Sequence, residues 1–98
     1  MASFTEIVNG DKPVLIDFHA DWCGPCKVLS PIIQEVAKEL DGKVRVIKID
    51  VDKNPALADK FQIRGVPTLM LFKDGKSVWR QSGVLQKGEI IKQLASFA

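Results

Sequence analysis

Cys23 and Cys26 are the only cysteines of the chain, three positions apart around Gly24-Pro25. A thiolate is a nucleophile and a metal ligand, and two thiols can trade electrons as a disulfide. Three chemistries therefore compete for the pair. A structural staple explains it poorly, because a bridge across so few residues restricts little of the unfolded chain. Secreted domains built on disulfides also carry more cysteines at wider spacing. A zinc site needs four ligands, and two Cys with one His would have to share the ion with another chain. Redox exchange needs only the pair: one thiol attacks a substrate disulfide and the other displaces the product.

The elements that must position the pair favour exchange. Upstream, Val14-Leu15-Ile16-Asp17-Phe18 is a short apolar run with β-branched residues, the pattern of a strand buried on both faces. Asp17 is out of character in it. Downstream, Leu29, Ile32, Ile33, Val36 and Leu40 recur at helical spacing. Pro31 predicts a kink in that helix, and Asp41-Gly42 its end. Cys23 thus follows a strand and opens a helix, whose unpaired amides and partial positive charge favour a thiolate. Pro25 falls in the first turn, where a missing N–H costs least. Cys26, one turn on, can bridge back to Cys23. It is expected to be the more buried of the two and to keep its proton longer.

The remaining elements follow the same rules. Ser3 and Glu6 fit a capping box for a short helix that Asn9-Gly10 stops. Val44 to Val51 reads as a strand, with Val44, Val46 and Lys48 on one face and Arg45, Ile47 and Ile49 on the other. Asn54-Pro55 opens a helix with Leu57, Ala58 and Phe61 on its apolar side. Thr68 to Phe72 and Ser77 to Ser82 are strands joined by the hairpin signal Asp74-Gly75. Lys87 to Phe97 is the closing helix. The order α-β-α-β-α-β-β-α predicts a parallel, right-handed βαβ unit followed by an antiparallel hairpin.

Length and charge narrow the function class. A chain of 98 residues makes a single domain, residues 1–98. Fourteen basic against twelve acidic residues is too balanced to predict nucleic-acid or anionic-membrane partners. No apolar run approaches the ~18 residues of a spanning helix. The first six residues, Met1 to Glu6, lack the charged and apolar regions of a secretory signal, so a cytoplasmic location is expected.

With these residues in view, the chain resembles the thioredoxin family over residues 3–98. The resemblance rests on Trp22-Cys23-Gly24-Pro25-Cys26-Lys27, on Asp17-Phe18, Pro31 and Asp50-Val51-Asp52, and on Gly65-Val66-Pro67-Thr68. Phe72-Lys73-Asp74-Gly75 and Gly83 continue it. It implies an α/β thioredoxin fold and protein-disulfide reductase activity, with Cys23 as nucleophile and Cys26 as resolving thiol. It implies that Asp17 lies below Cys26 as proton acceptor with a raised pKa, which Lys48 moderates from the next strand. It implies a cis Val66–Pro67 bond facing Cys23, and substrate contacts from Trp22, Gly24, Pro25, Val66, Pro67 and Gly83. No bound cofactor or metal is implied, only the redox-active Cys23–Cys26 disulfide. Partners would be disulfide-containing proteins and a thioredoxin reductase that draws on NADPH through FAD.

Two departures stand out. His19 replaces the Trp of many relatives and shares a strand face with Asp17, which leaves two readings open: a group that makes the site pH-sensitive, or a size-tolerant rim residue with no titration role. Only Met1 and Ala2 precede the Ser3 cap, too few for the family's first edge strand. A four-stranded mixed sheet flanked by helices is therefore expected, with Val44–Val51 as an exposed edge that a second chain could cover. The chain is otherwise expected to be a monomer.

Overall fold

The computed structural model describes residues 3–97; Met1 and Ala2, where the first edge strand would have to start, lie outside them. The elements are α1 (Phe4–Val8), β1 (Val14–His19), α2 (Gly24–Glu39), β2 (Arg45–Asp50), α3 (Pro55–Lys60), β3 (Thr68–Lys73), β4 (Lys76–Ser82) and α4 (Lys87–Ala95). Among the described residues the strands form one four-stranded sheet in the order β2-β1-β3-β4. β1 and β2 are parallel, whereas β1–β3 and β3–β4 are antiparallel. This is the α/β thioredoxin fold expected from the sequence, and β2 is one of its two edges, β4 the other.

Local chemistry explains most boundaries. Ser3 caps α1 by accepting the Glu6 amide at 3.2 Å. Asp74 and Gly75, with φ of 53° and 79°, make the tight β3–β4 turn that the Asp-Gly pair predicts. Gly42, φ 82°, follows the end of α2. That helix remains α-helical from Gly24 to Glu39, with Pro31 inside it. β2 is shorter than the expected Val44–Val51, because the Val44 amide bonds back to Leu40 at the end of the helix. The closing helix ends before Phe97, whose amide joins a final turn to Leu94. Asn54 precedes α3 but does not cap it by accepting an amide; its Nδ2 donates to the Asp50 carbonyl instead.

Strand alternation sends the central strands to two cores. Leu15 of β1 packs with Leu29, Ile33 and Val36 of α2 and with Ile90 and Leu94 of α4. Val14, Ile16 and Phe18 turn to the other face, where Val8, Phe4 and Phe61 cover them. β1 is therefore buried on both sides, as an apolar run interrupted only by Asp17 before His19 requires. Asp17 falls on the α2 side of the sheet with Leu15. Val44 and Val46 lie on that side too, so Lys48 follows them toward α2.

Candidate functional site

β1 delivers the chain to the start of α2, and Cys23 is the N-cap residue of that helix, with extended backbone. Its sulfur accepts the Cys26 backbone N–H at 3.1 Å. The two cysteines form a disulfide with Cα atoms 5.3 Å apart. Pro25 occupies the first turn, where it removes no needed donor. Gly24 and Pro25 are both exposed beside the disulfide.

The loop before β3 closes the other side. Val66–Pro67 is a cis peptide, as the family resemblance implied. The Val66 carbonyl oxygen lies 3.5 Å from the Cys23 sulfur, and Pro67 is buried. Gly83, at φ 92°, donates its amide to the Pro67 carbonyl at 2.9 Å. A side chain at Gly83 would meet no atom within 4 Å, so the backbone angle there, rather than crowding, calls for glycine.

The two cysteines differ from expectation in one respect. Cys23 is 3% exposed and Cys26 6%, so Cys26 is not the more buried of the two. The reason is tertiary packing: Ala20, Val51 and Val66 crowd the pair, while Cys26 lines a cavity of about 180 Å³ with His19, Ala20, Asp21, Lys27, Ser30 and Lys48. The asymmetry between the thiols lies in helix position instead, since Cys23 is the one that receives the free amide.

Trp22 is 70% exposed, the most open large apolar side chain among the described residues, and lies beside the disulfide. Its indole Nε1 donates to the Asp52 carboxylate at 2.8 Å, which fixes the ring against the loop after β2. The larger groove near Asp52, about 360 Å³ and also lined by Pro55, Asp59 and Arg64, contains no thiol. An open surface around a buried disulfide suits a macromolecular substrate better than a small one.

Asp17 is 1% exposed, and its Oδ1 has no hydrogen-bond partner. Burial raises its pKa above the usual carboxylate range, and the positive charges of Lys48 and His19 offset part of that rise. Lys48 is the register partner of Asp17 on the parallel strand. Its ammonium nevertheless makes no ion pair with Asp17; Nζ donates to Ser30 Oγ of α2 at 2.7 Å. His19 borders the same cavity as Cys26, as its strand face predicted. His19, Asp21 and Asp50 bring their polar atoms within 4.8 Å of one another. Asp50 is already engaged by the Asp52 and Lys53 amides, so the group is the polar rim of a turn and no metal role is assigned to it.

The structure thus gathers Trp22, Cys23, Cys26, Val66 and Pro67 around one disulfide, with Gly24, Pro25 and Gly83 at its border and Asp17 and Lys48 on the α2 face of the sheet. Sequence reasoning missed two partners. Asp52 belongs to a quoted motif, but nothing in its spacing points to Trp22. Ser30 reads as an ordinary polar residue of a helix.

A disulfide between the N-cap residue of a helix and the residue one turn later, set against the loop before an antiparallel strand, defines a thiol-disulfide oxidoreductase. The chain belongs to the thioredoxin family: a sequence model described as Thioredoxin matches residues 1–96. It is 48% identical over 97 residues to a thioredoxin-like protein of Synechocystis, covering 98% of this chain and 92% of that one. It is 49% identical over 86 residues to a thioredoxin of Rickettsia felis, covering 88% and 82% of the two chains. A chloroplastic thioredoxin Y of Oryza sativa is 44% identical over 96 residues, which are 97% of this chain and 57% of that protein. Among the described residues no helix is long and apolar enough to cross a membrane.

Proposed function

We propose that this chain is a cytoplasmic protein-disulfide reductase that works as a single domain and a monomer. The observation that carries the reading is the Cys26 amide on the Cys23 sulfur, next in the chain to an exposed tryptophan. In the reduced protein that amide and the helix N-terminus stabilise a Cys23 thiolate. The thiolate attacks one sulfur of a substrate disulfide. A Cys23–substrate disulfide forms, the substrate S–S bond breaks, and the first substrate thiolate leaves. Cys26 then gives its proton to Asp17 through water and attacks Cys23. The Cys23–Cys26 disulfide forms, the second substrate thiolate leaves, and two electrons have passed to the substrate.

Trp22, Gly24, Pro25, Val66, Pro67 and Gly83 supply the docking surface. An extended substrate segment pairs with the backbone at Val66, a form of strand addition. Lys48 moderates the charge of Asp17. Gly24-Pro25 places no cationic side chain between the cysteines to stabilise the dithiol form, which favours reduction over oxidation as the working direction. Electrons come from NADPH through the FAD of a thioredoxin reductase. Substrates are proteins that acquire disulfides in turnover, such as ribonucleotide reductase, peroxiredoxins and methionine sulfoxide reductases.

The test is NADPH-coupled reduction of insulin with a thioredoxin reductase, comparing the wild type with Cys26→Ser. Turnover by the wild type and a trapped Cys23–insulin adduct in the variant are expected. A folded wild type that does not turn over, even when dithiothreitol supplies the electrons, rules the reading out.

A further inference from the structure

Lys48 and Asp17 face each other across a parallel strand pair, the arrangement in which a buried carboxylate and a long cation normally close an ion pair. Here they do not. Asp17 Oδ1 stays without a partner, and the Lys48 ammonium is held by Ser30 Oγ at 2.7 Å. Ser30 lies one helical turn after Cys26 and borders the same cavity. A hydroxyl at the cavity mouth leaves the ammonium in contact with water, whereas closing on Asp17 would desolvate it.

We propose that Ser30 is a positioning residue that keeps the Lys48 ammonium at the cavity mouth and off the Asp17 carboxylate, so that Asp17 stays free to take the Cys26 proton. An ammonium paired directly with Asp17 would hold it ionised, and an ionised carboxylate tied to a cation is a poor proton acceptor. The other groups around this face are His19 on β1, Asp21 in the turn after it, and Cys26 and Lys27 on α2. The β3 register partner of Asp17, Leu69, adds no charge. The functional half of the inference rests on the proton-acceptor role proposed for Asp17.

The experiment follows the Asp17 carboxyl carbon by NMR titration in the oxidised protein, where no thiol titrates. Variants are Ser30→Ala, Ser30→Thr, Lys48→Met and the Ser30→Ala/Lys48→Met pair. Ser30→Ala should release Lys48 onto Asp17 and lower its titration midpoint by at least about half a pH unit, roughly threefold in proton affinity. Ser30→Thr should keep the wild-type midpoint, Lys48→Met should raise it, and Ser30→Ala should add nothing when Lys48 is absent. A midpoint that stays or rises in Ser30→Ala, or moves equally in the Lys48→Met background, overturns the inference. Alanine is the better helix former, so the variant folds. The pH profile of mixed-disulfide resolution, measured in parallel, separates the two claims. If the NMR midpoint moves and the kinetic profile does not, Ser30 still positions Lys48 but Asp17 is not the proton acceptor.

Discussion

The backbone amide of Cys26 donates to the Cys23 sulfur at 3.1 Å, so the residue that completes the disulfide also supplies a hydrogen-bond donor to its partner's sulfur. Position in the helix thereby distinguishes two cysteines that burial leaves nearly equal.

This relationship predicts selective alkylation. In the reduced protein near neutral pH, iodoacetamide should modify Cys23 at least about tenfold faster than Cys26, because the thiolate is the reacting species. Peptide mapping after a short exposure reads the ratio. Equal labelling would show that the helix terminus does not bias the pair.

The unpartnered Asp17 carboxyl predicts an unusual dependence of stability on pH. Its pKa is raised in the fold, so the folded state holds a proton that the unfolded chain releases near 3.8. The advantage of the neutral form is complete below that value and is lost as pH rises through the folded pKa. Stability of the wild type should therefore fall in this window by up to about 1.4 kcal/mol per pH unit. Asp17→Asn should flatten the slope and slow the release of substrate from Cys23. Denaturant midpoints measured across the pH range check the first effect, and parallel slopes in the two proteins would refute it.

His19 adds its own sign. A protonated imidazole lowers the Asp17 pKa, so losing it lets burial act more fully. His19→Phe should shift the pH profile of mixed-disulfide resolution to higher pH. An unchanged profile would leave His19 as a rim residue without influence on the thiols.

The Trp22–Asp52 hydrogen bond predicts a split between binding and folding. Trp22 is 70% exposed, so Trp22→Ala should change stability by less than about 1 kcal/mol. It should raise KM for a protein disulfide several-fold and leave the reduction of a small disulfide nearly unchanged. Asp52→Asn keeps an acceptor for the indole and should be milder. Equal losses on both substrates would place the effect on the thiols and not on docking.

Much of this architecture is written in local sequence. The nearly continuous apolar run of β1 required cover on both faces, and the helices supply it: α2 and α4 on one side, α1 and Phe61 on the other. Asp74-Gly75 is a turn because only residues that tolerate positive φ make that hairpin. The Cys-x-x-Cys pair between a strand and a helix carried its own chemistry, and strand alternation put His19 and Asp17 on one face. The cis Val66–Pro67 bond came from the family motif, because sequence chemistry alone favours trans.

Other features were decided only when the chain closed on itself. Asp52 meets the Trp22 indole, and Ser30 meets Lys48, across separations of 30 and 18 residues that no local period encodes. The expected burial order of the two cysteines failed for the same reason. Solvent access to Cys26 depends on a cavity assembled from β1, β2 and α2 together, whereas the N-cap position of Cys23 depends on the chain beside it. Periodicity and capping act within a few residues and are legible in sequence. The competition of a lysine between a hydroxyl and a buried carboxylate is settled by distance and desolvation, which exist only in the folded protein.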